Sequence, residues 1–173
     1  MQLEIFAGHH IADMLDWFPT AEALIQWGGP GLRFPLDETQ LEEMQASTSG
    51  DAPTRWMFAG IVDDNLAGHA QVALDWENGV GRLSRVAINP RLRGQGLAHP
   101  FLQRIIARFF ADARFERLEL NVYTFNTAAI RTYLKLGFIG EGVRRSSARV
   151  GDIRWDTAIY GMLRSDLAAN NLA

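Results

Sequence analysis

The run Arg91-Leu92-Arg93-Gly94-Gln95-Gly96-Leu97-Ala98 has the residue types and spacing of a phosphate cradle. Gly94 and Gly96 lack a Cβ, so their backbone can take unusual φ and ψ and approach a ligand closely. The amides of Gly94, Gln95, Gly96, Leu97 and Ala98 would then point outward at a helix start. Unpaired N–H groups and the helix dipole favour an anion there. Arg91 and Arg93 add positive charge, and Arg82 and Arg85 lie just upstream. An ordinary basic strand-to-helix turn could carry the same letters, because Gly-x-Gly alone is unspecific. A dinucleotide fingerprint wants a third glycine at position 99, where this chain has His99. Glu116 and Glu119 would satisfy its acidic position, so the missing glycine and the strands before the loop weigh against it.

Such a loop needs a strand before it and a helix after it. Arg82 to Ile88 reads as that strand, ended by Asn89-Pro90. Leu97 to Ala111 reads as that helix, with an apolar stripe through Leu97, Phe101, Ile105 and Phe109. Pro100 is tolerated if it falls in the first turn, where amides have no intrahelical partner. Upstream, Trp56–Val62 and Leu66–Leu74 complete an antiparallel meander. Leu3–Phe6 reads as a short first strand, and Ile11–Phe18 and Ala21–Trp27 as helices broken at Pro19. Asp37 is a candidate N-cap for a helix through Met44. Downstream, Leu118–Tyr123 is strand-like. Asn126 caps a helix ending at Leu136, with Gly137 beyond its C-terminus. Phe138–Ala148 and Ile153–Leu163 form a closing hairpin. The pattern predicts an α+β fold with a mixed, mostly antiparallel sheet and one β-α-β crossover.

The length of 173 residues and the 47% hydrophobic content suit a single domain over 1–173. No apolar stretch is long enough for a membrane span, and Met1–Trp17 is acidic without a basic leader, so a cytoplasmic protein without membrane partners is expected. The absence of cysteine excludes disulfides, thiolate metal sites and an acyl-cysteine intermediate. His9, His10, His69 and His99 show no metal-binding spacing, so no metal is expected. No Gly-x-Ser-x-Gly elbow is present. Arg144, Arg145 and Arg149 fall in the closing hairpin without interleaved aromatics, which reads as solvated charge rather than a nucleic-acid surface. Residues 1–80 hold thirteen acidic and two basic side chains, a net −11, and the remainder carries +8. The basic half could hold an anionic ligand and the acidic half could draw a cationic amine. Trp17, Trp27 and Phe34 flank the Gly28–Gly31 loop, either as core or as an aromatic surface for an acceptor.

Two motifs carry a family resemblance. Arg91-x-x-Gly94-x-Gly96 resembles the pyrophosphate-binding motif of the GNAT acetyltransferase superfamily. Asn126-x-x-Ala129-x-x-x-Tyr133-x-x-x-Gly137-Phe138 resembles its second signature, in matching order and spacing. The likeness covers about residues 56–163, and the closing run with Gly151, Trp155, Asp156 and Tyr160 is similar to the branch acting on ribosomal-protein N-termini and small amines. The resemblance implies a central strand pair that splays apart around the pantetheine arm of acetyl-CoA, with backbone of Val86 and Ile88 pairing to it. It places the pyrophosphate on the amides of residues 94–98, helped by Arg91 and Arg93, and Asn126 against the pantetheine. It puts an oxyanion donor near Ala87 or Ile88 and Tyr133 near the sulfur as general acid. A phenol of pKa about 10 can protonate a departing thiolate of pKa about 8.5 at mild cost. A tyrosine packed for stability, its hydroxyl on a backbone carbonyl, is the alternative. Where relatives place a carboxylate base this chain has Asn121, so the base is a water held by Asn121 or a carboxylate such as Glu77 or Glu22, with Asn121 as a plain structural strand residue the alternative. The implied activity is acetyl transfer from acetyl-CoA to a primary amine, either a small molecule or a protein N-terminus, with a homodimer possible. An acyl-CoA-binding module without catalysis is the alternative.

Overall fold

A computed structural model describes residues 1–169. Its strands are β1 (Gln2–Ile5), β2 (Arg55–Val62), β3 (Asn65–Asp75), β4 (Val80–Ile88), β5 (Arg117–Tyr123), β6 (Ile139–Val150) and β7 (Ile153–Leu163). Its helices are α1 (Ile11–Met14), α2 (Ala21–Gly28), α3 (Glu38–Ala46), α4 (Ala98–Phe110), α5 (Thr127–Lys135) and α6 (Arg164–Ala169). The strands form one sheet in the order β1-β2-β3-β4-β5-β7-β6. All neighbours run antiparallel except β4 and β5, which are parallel and connected through α4. The mixed sheet and its crossover are those expected from the sequence, with element ends displaced by at most two residues except in the first helix, where α1 stops at Met14 and Leu15–Trp17 continues as a 3-10 turn. α6 and the short 3-10 turns Gly8–His10 and Pro90–Leu92 were not anticipated. Asp166 Oδ2 caps its start by accepting from the Leu163 N–H at 2.8 Å.

The centre of the sheet is split. β4 and β5 are paired only from Val80–Arg117 to Leu83–Leu120. Beyond that point Ser84–Ile88 stays with β3 and Asn121–Tyr123 stays with β7. The parting begins at a bulge. Ser84 pairs with Gln71 and Ala87 with His69, so Arg85 and Val86 together oppose Ala70. A bulge bends its strand and adds local twist. Arg85 takes a left-handed φ of 50° to make it. The extra residue also shifts the side-chain phase. Leu83 before it, and Val86 and Ile88 after it, all contribute to the core under α4 and α5. Ala87 turns instead to the core under α1–α3.

Those two cores fill the two faces of the sheet. On α4, Phe101, Leu102, Ile105, Ile106, Phe109 and Phe110 are buried along one stripe. Pro100 costs no helical bond, since the first one runs from the Phe101 N–H to the Leu97 carbonyl at 3.2 Å. Phe101 lies directly over Gly60 and Gly68. A Cβ at those positions would come within 2.8 Å and 3.1 Å of its ring. The glycines therefore let α4 sit close to the strands and fix the helix whose N-terminus follows the Gly94–Gly96 loop. Truncating Phe101 to alanine should destabilise the fold by about 3–5 kcal/mol. Urea unfolding should show a lower midpoint with little change in slope.

Candidate active site

The parted lips of β4 and β5 open a cleft of ≈ 980 Å³. Val86, Ala87 and Ile88 form one lip, and Asn121, Val122 and Tyr123 form the other. Arg93, Gly94, Gly96, Leu97 and Ala98 wall one part of it, and Asn126 and Tyr133 of α5 another. Gly94 and Gly96 have φ of 81° and 76°, which disfavour any side chain. A Cβ on either would meet nothing within 4 Å, so open space lies in front of both. The N–H groups of Gly94, Gln95, Gly96 and Leu97 donate to no acceptor among the described residues. Unpaired amides beside open space are the kind of donor set a pyrophosphate needs, so the residues present fit coenzyme A. Arg93 Nε donates to the Ile88 carbonyl at 3.3 Å, and Arg93 lines the cleft beside the loop. Arg91 and Gln95 are exposed and do not line the cleft. The Arg91 N–H is engaged with Asn89 Oδ1 at 3.0 Å.

Helix α5 is fixed at both ends, and both ends bear on Tyr133. At its start Asn126 Oδ1 accepts from the Ala129 N–H at 3.3 Å. At its end Gly137, with φ 92°, reverses the chain. The Phe138 N–H then reaches the Tyr133 carbonyl and the Gly137 N–H reaches that of Leu134, each at 3.1 Å. This is the Schellman arrangement, and the Phe138 ring closes it against the Tyr133 ring at 5.9 Å. The tyrosine ring is thus held in the core, 7% exposed, while the residue still borders the cleft. Its hydroxyl makes no hydrogen bond among the described residues, in contrast to a tyrosine tied to a backbone carbonyl. Burial pushes its pKa above the usual phenol range, so it is protonated at neutral pH.

Asn121 lies on the parted stretch of β5, exposed to the cleft and opposite Ile159 on β7. Among the described residues, no aspartate or glutamate lines the cleft. Glu77 sits in the turn before β4, at the closed end of the strand pair, and Glu22 lies on α2 outside the cleft wall. Neither carboxylate is placed to act as the base. The acidic first half of the chain therefore does not present its charge here. The charged side chains of the wall are Arg55, Arg82, Arg85, Arg93 and Arg144. Arg82 is paired with Glu119 at 2.6 Å. Trp27 borders the cleft and stacks on Phe18 at 4.5 Å, whereas Trp17 is core and Phe34 is exposed away from the site. Arg55 was missed as a site residue and Arg85 was noted only as positive charge upstream of the loop, because only the strand register brings the two together.

The family model described as Acetyltransferase (GNAT) family matches residues 19–138. An N-acetyltransferase of Bacillus subtilis, SPbeta prophage-derived YokL, is 28% identical over 110 residues, covering 63% of this chain and 62% of that protein. The chain thus spans about three-fifths of that relative's length. Aminoglycoside N(6')-acetyltransferase type 1 of Klebsiella pneumoniae is 24% identical, covering 81% of this chain and 74% of that protein. Among solved structures, the spermidine N-acetyltransferase of Vibrio cholerae superposes with a TM-score of 0.82 at 18% identity, over 96% and 97% of the two chains. The ribosomal-protein-S18-alanine N-acetyltransferase of Escherichia coli gives 0.71 at 22%, over 94% and 92%. At these identities the superpositions speak to the fold.

Proposed function

The chain belongs to the acetyltransferase (GNAT) family and is an acetyl-CoA-dependent acetyltransferase, and we propose that its acceptor is a primary amine that attacks directly, with Tyr133 as general acid. The observation that carries this reading is that Tyr133, whose hydroxyl makes no hydrogen bond among the described residues, borders a cleft opened between two parted strands. The phosphate-binding end would be the amides of Gly94 to Ala98, with Arg93 beside them. Backbone of Val86 and Ile88 would hold the pantetheine, which would draw the Ile88 carbonyl away from Arg93 and free that guanidinium for the phosphates. An N–H near Ala87 or Ile88 would receive the oxyanion as the amine nitrogen bonds the acetyl carbon. The C–S bond then breaks, the sulfur takes the Tyr133 proton, the amine's surplus proton leaves to solvent through water at Asn121, and the Tyr133 phenolate regains a proton from solvent. Small amines and protein N-termini, the acceptors named for relatives of similar fold, share the attacking group this chemistry requires.

Release of free thiol from acetyl-CoA across a panel of primary amines and matched alcohols tests the reading. Transfer to alcohols without amine preference would overturn it. The pH profile adds a second check. The rate should rise with pH as the amine loses its proton. Burial raises the Tyr133 pKa, so the acid form persists and no falling limb should appear near pH 10, the ordinary phenol value. A falling limb there, absent from a Tyr133→Phe variant, would show an unperturbed phenol and contradict the placement.

A further inference from the structure

Two cations on the cleft wall have no counter-ion among the described residues. Arg55 on β2 and Arg85 at the β4 bulge each donate through Nη1 to a single acceptor, Oε1 of Gln71, at 2.9 Å. Gln71 is fully buried, and its oxygen is committed to the two guanidinium groups. Its Nε2 therefore faces Nε2 of His69, at 3.1 Å, and that ring nitrogen must accept. The imidazole proton then sits on Nδ1, which is buried with no partner. Burial and the nearby Arg85 push the His69 pKa down to about 3, so the ring is neutral and supplies no compensating charge. Arg33, which shares a side hollow with the pair, is already matched to Asp37. Glu43 borders that hollow but forms no ion pair with either arginine. Burial and the charge of Arg55 hold the Arg85 pKa down to about 10.

The arrangement is built rather than incidental. Arg85 adopts a left-handed φ that a residue with a Cβ rarely takes, and Trp27 Nε1 clamps its carbonyl at 2.6 Å. Each guanidinium has further N–H groups to give beyond the one spent on Gln71. We infer that the acceptor amine carries an anionic group, a carboxylate or a phosphate, which seats on Arg55 and Arg85 while its amine points along the cleft toward Ala87 and Asn121. This rests on the reading of the cleft as an amine acetylation site. A planar guanidinium pair suits an oxyanion's geometry and charge. A polycationic amine would meet like charge, since among the described residues the cleft wall has no carboxylate.

The test compares matched amines: L-amino acids against their C-terminal amides, O-phosphoethanolamine against ethanolamine, and spermidine as a cation. Thiol release should favour the anionic member of a pair by about 10–100-fold in kcat/KM, the range one or two charge-assisted contacts produce. Whether the amino acids or the phosphoamine shows the larger preference identifies carboxylate or phosphate. In Arg55→Gln the preference should collapse through KM, with calorimetric acetyl-CoA affinity unchanged, and Arg55→Lys should restore part of it. Preference for spermidine or for the neutral members overturns this inference alone. So does an Arg55→Gln variant that loses acetyl-CoA affinity instead, which would give the pair to the coenzyme's phosphates. No release with any amine overturns the amine-transfer reading together with it.

Discussion

Tyr133→Phe is expected to lower kcat by about 10²–10⁴-fold while acetyl-CoA binds almost as before, the range general acid catalysis commonly supplies. The substitution removes one oxygen and keeps the ring. The ring's contact with Phe138 and the Schellman bonds that end α5 should survive, so the fold is not the source of the loss. What disappears is the unbonded hydroxyl of one of two tyrosines, Tyr123 and Tyr133, that line the cleft among the described residues. Burial raises the Tyr133 pKa, which by itself makes proton transfer to sulfur harder. The same dry surroundings also raise the pKa of a departing thiolate, so the gap between donor and acceptor stays small. The measurement is thiol release in a single turnover, where product departure does not hide the chemical step. A phenylalanine variant with near-normal single-turnover rates would remove Tyr133 from the mechanism. Loss of acetyl-CoA affinity in step with rate would make it a binding residue.

Gly96→Glu should abolish measurable acetyl-CoA binding. Two costs combine at this position. A φ of 76° is left-handed, and a residue with a Cβ pays about 1–2 kcal/mol to hold it. The side chain would also enter the open space in front of the unpaired amides and bring a carboxylate to where a pyrophosphate should sit. Gly96→Ala separates the two. It carries the backbone cost with little bulk and no charge, so its affinity should fall by about ten-fold or somewhat more, as 1.4 kcal/mol implies. Isothermal titration with acetyl-CoA reads both variants. Wild-type affinity in Gly96→Glu would sink the assignment of this loop to the phosphates.

Local signals in the sequence were sufficient for the elements that hold the cleft open. Asp37 and Asn126 cap the helices expected of them, and Gly137 ends α5, because capping is decided by a few neighbouring residues. The two glycines of the loop were legible for the same reason. The bulge at Arg85 was not, since its extra residue shows only against the register of β3. The Arg55–Gln71–Arg85 cluster was likewise hidden. Its members are separated by 16 and 14 positions, and nothing local ties them together. Charge counting also misled. The excess of acid in residues 1–80 is real, yet those side chains lie off the cleft, and the few basic groups nearby decide its sign. Glu77 is a case of the same kind: close to β4 in sequence, it sits at the wrong end of the strand.

The split between β4 and β5 gives the sheet two edges in its middle, in addition to the outer ones on β1 and β6. An edge strand offers N–H and C=O groups to whatever extended chain is presented to it. A donor arm that pairs with these lips is read by main chain, and main chain is nearly the same whichever side chains it bears. Mutations along Ser84–Ile88 and Asn121–Tyr123 are then free to change what the cleft accepts while its grip on the donor persists. Tolerance of this sort lets acceptor preference drift among descendants of one ancestor without a loss of the common reagent.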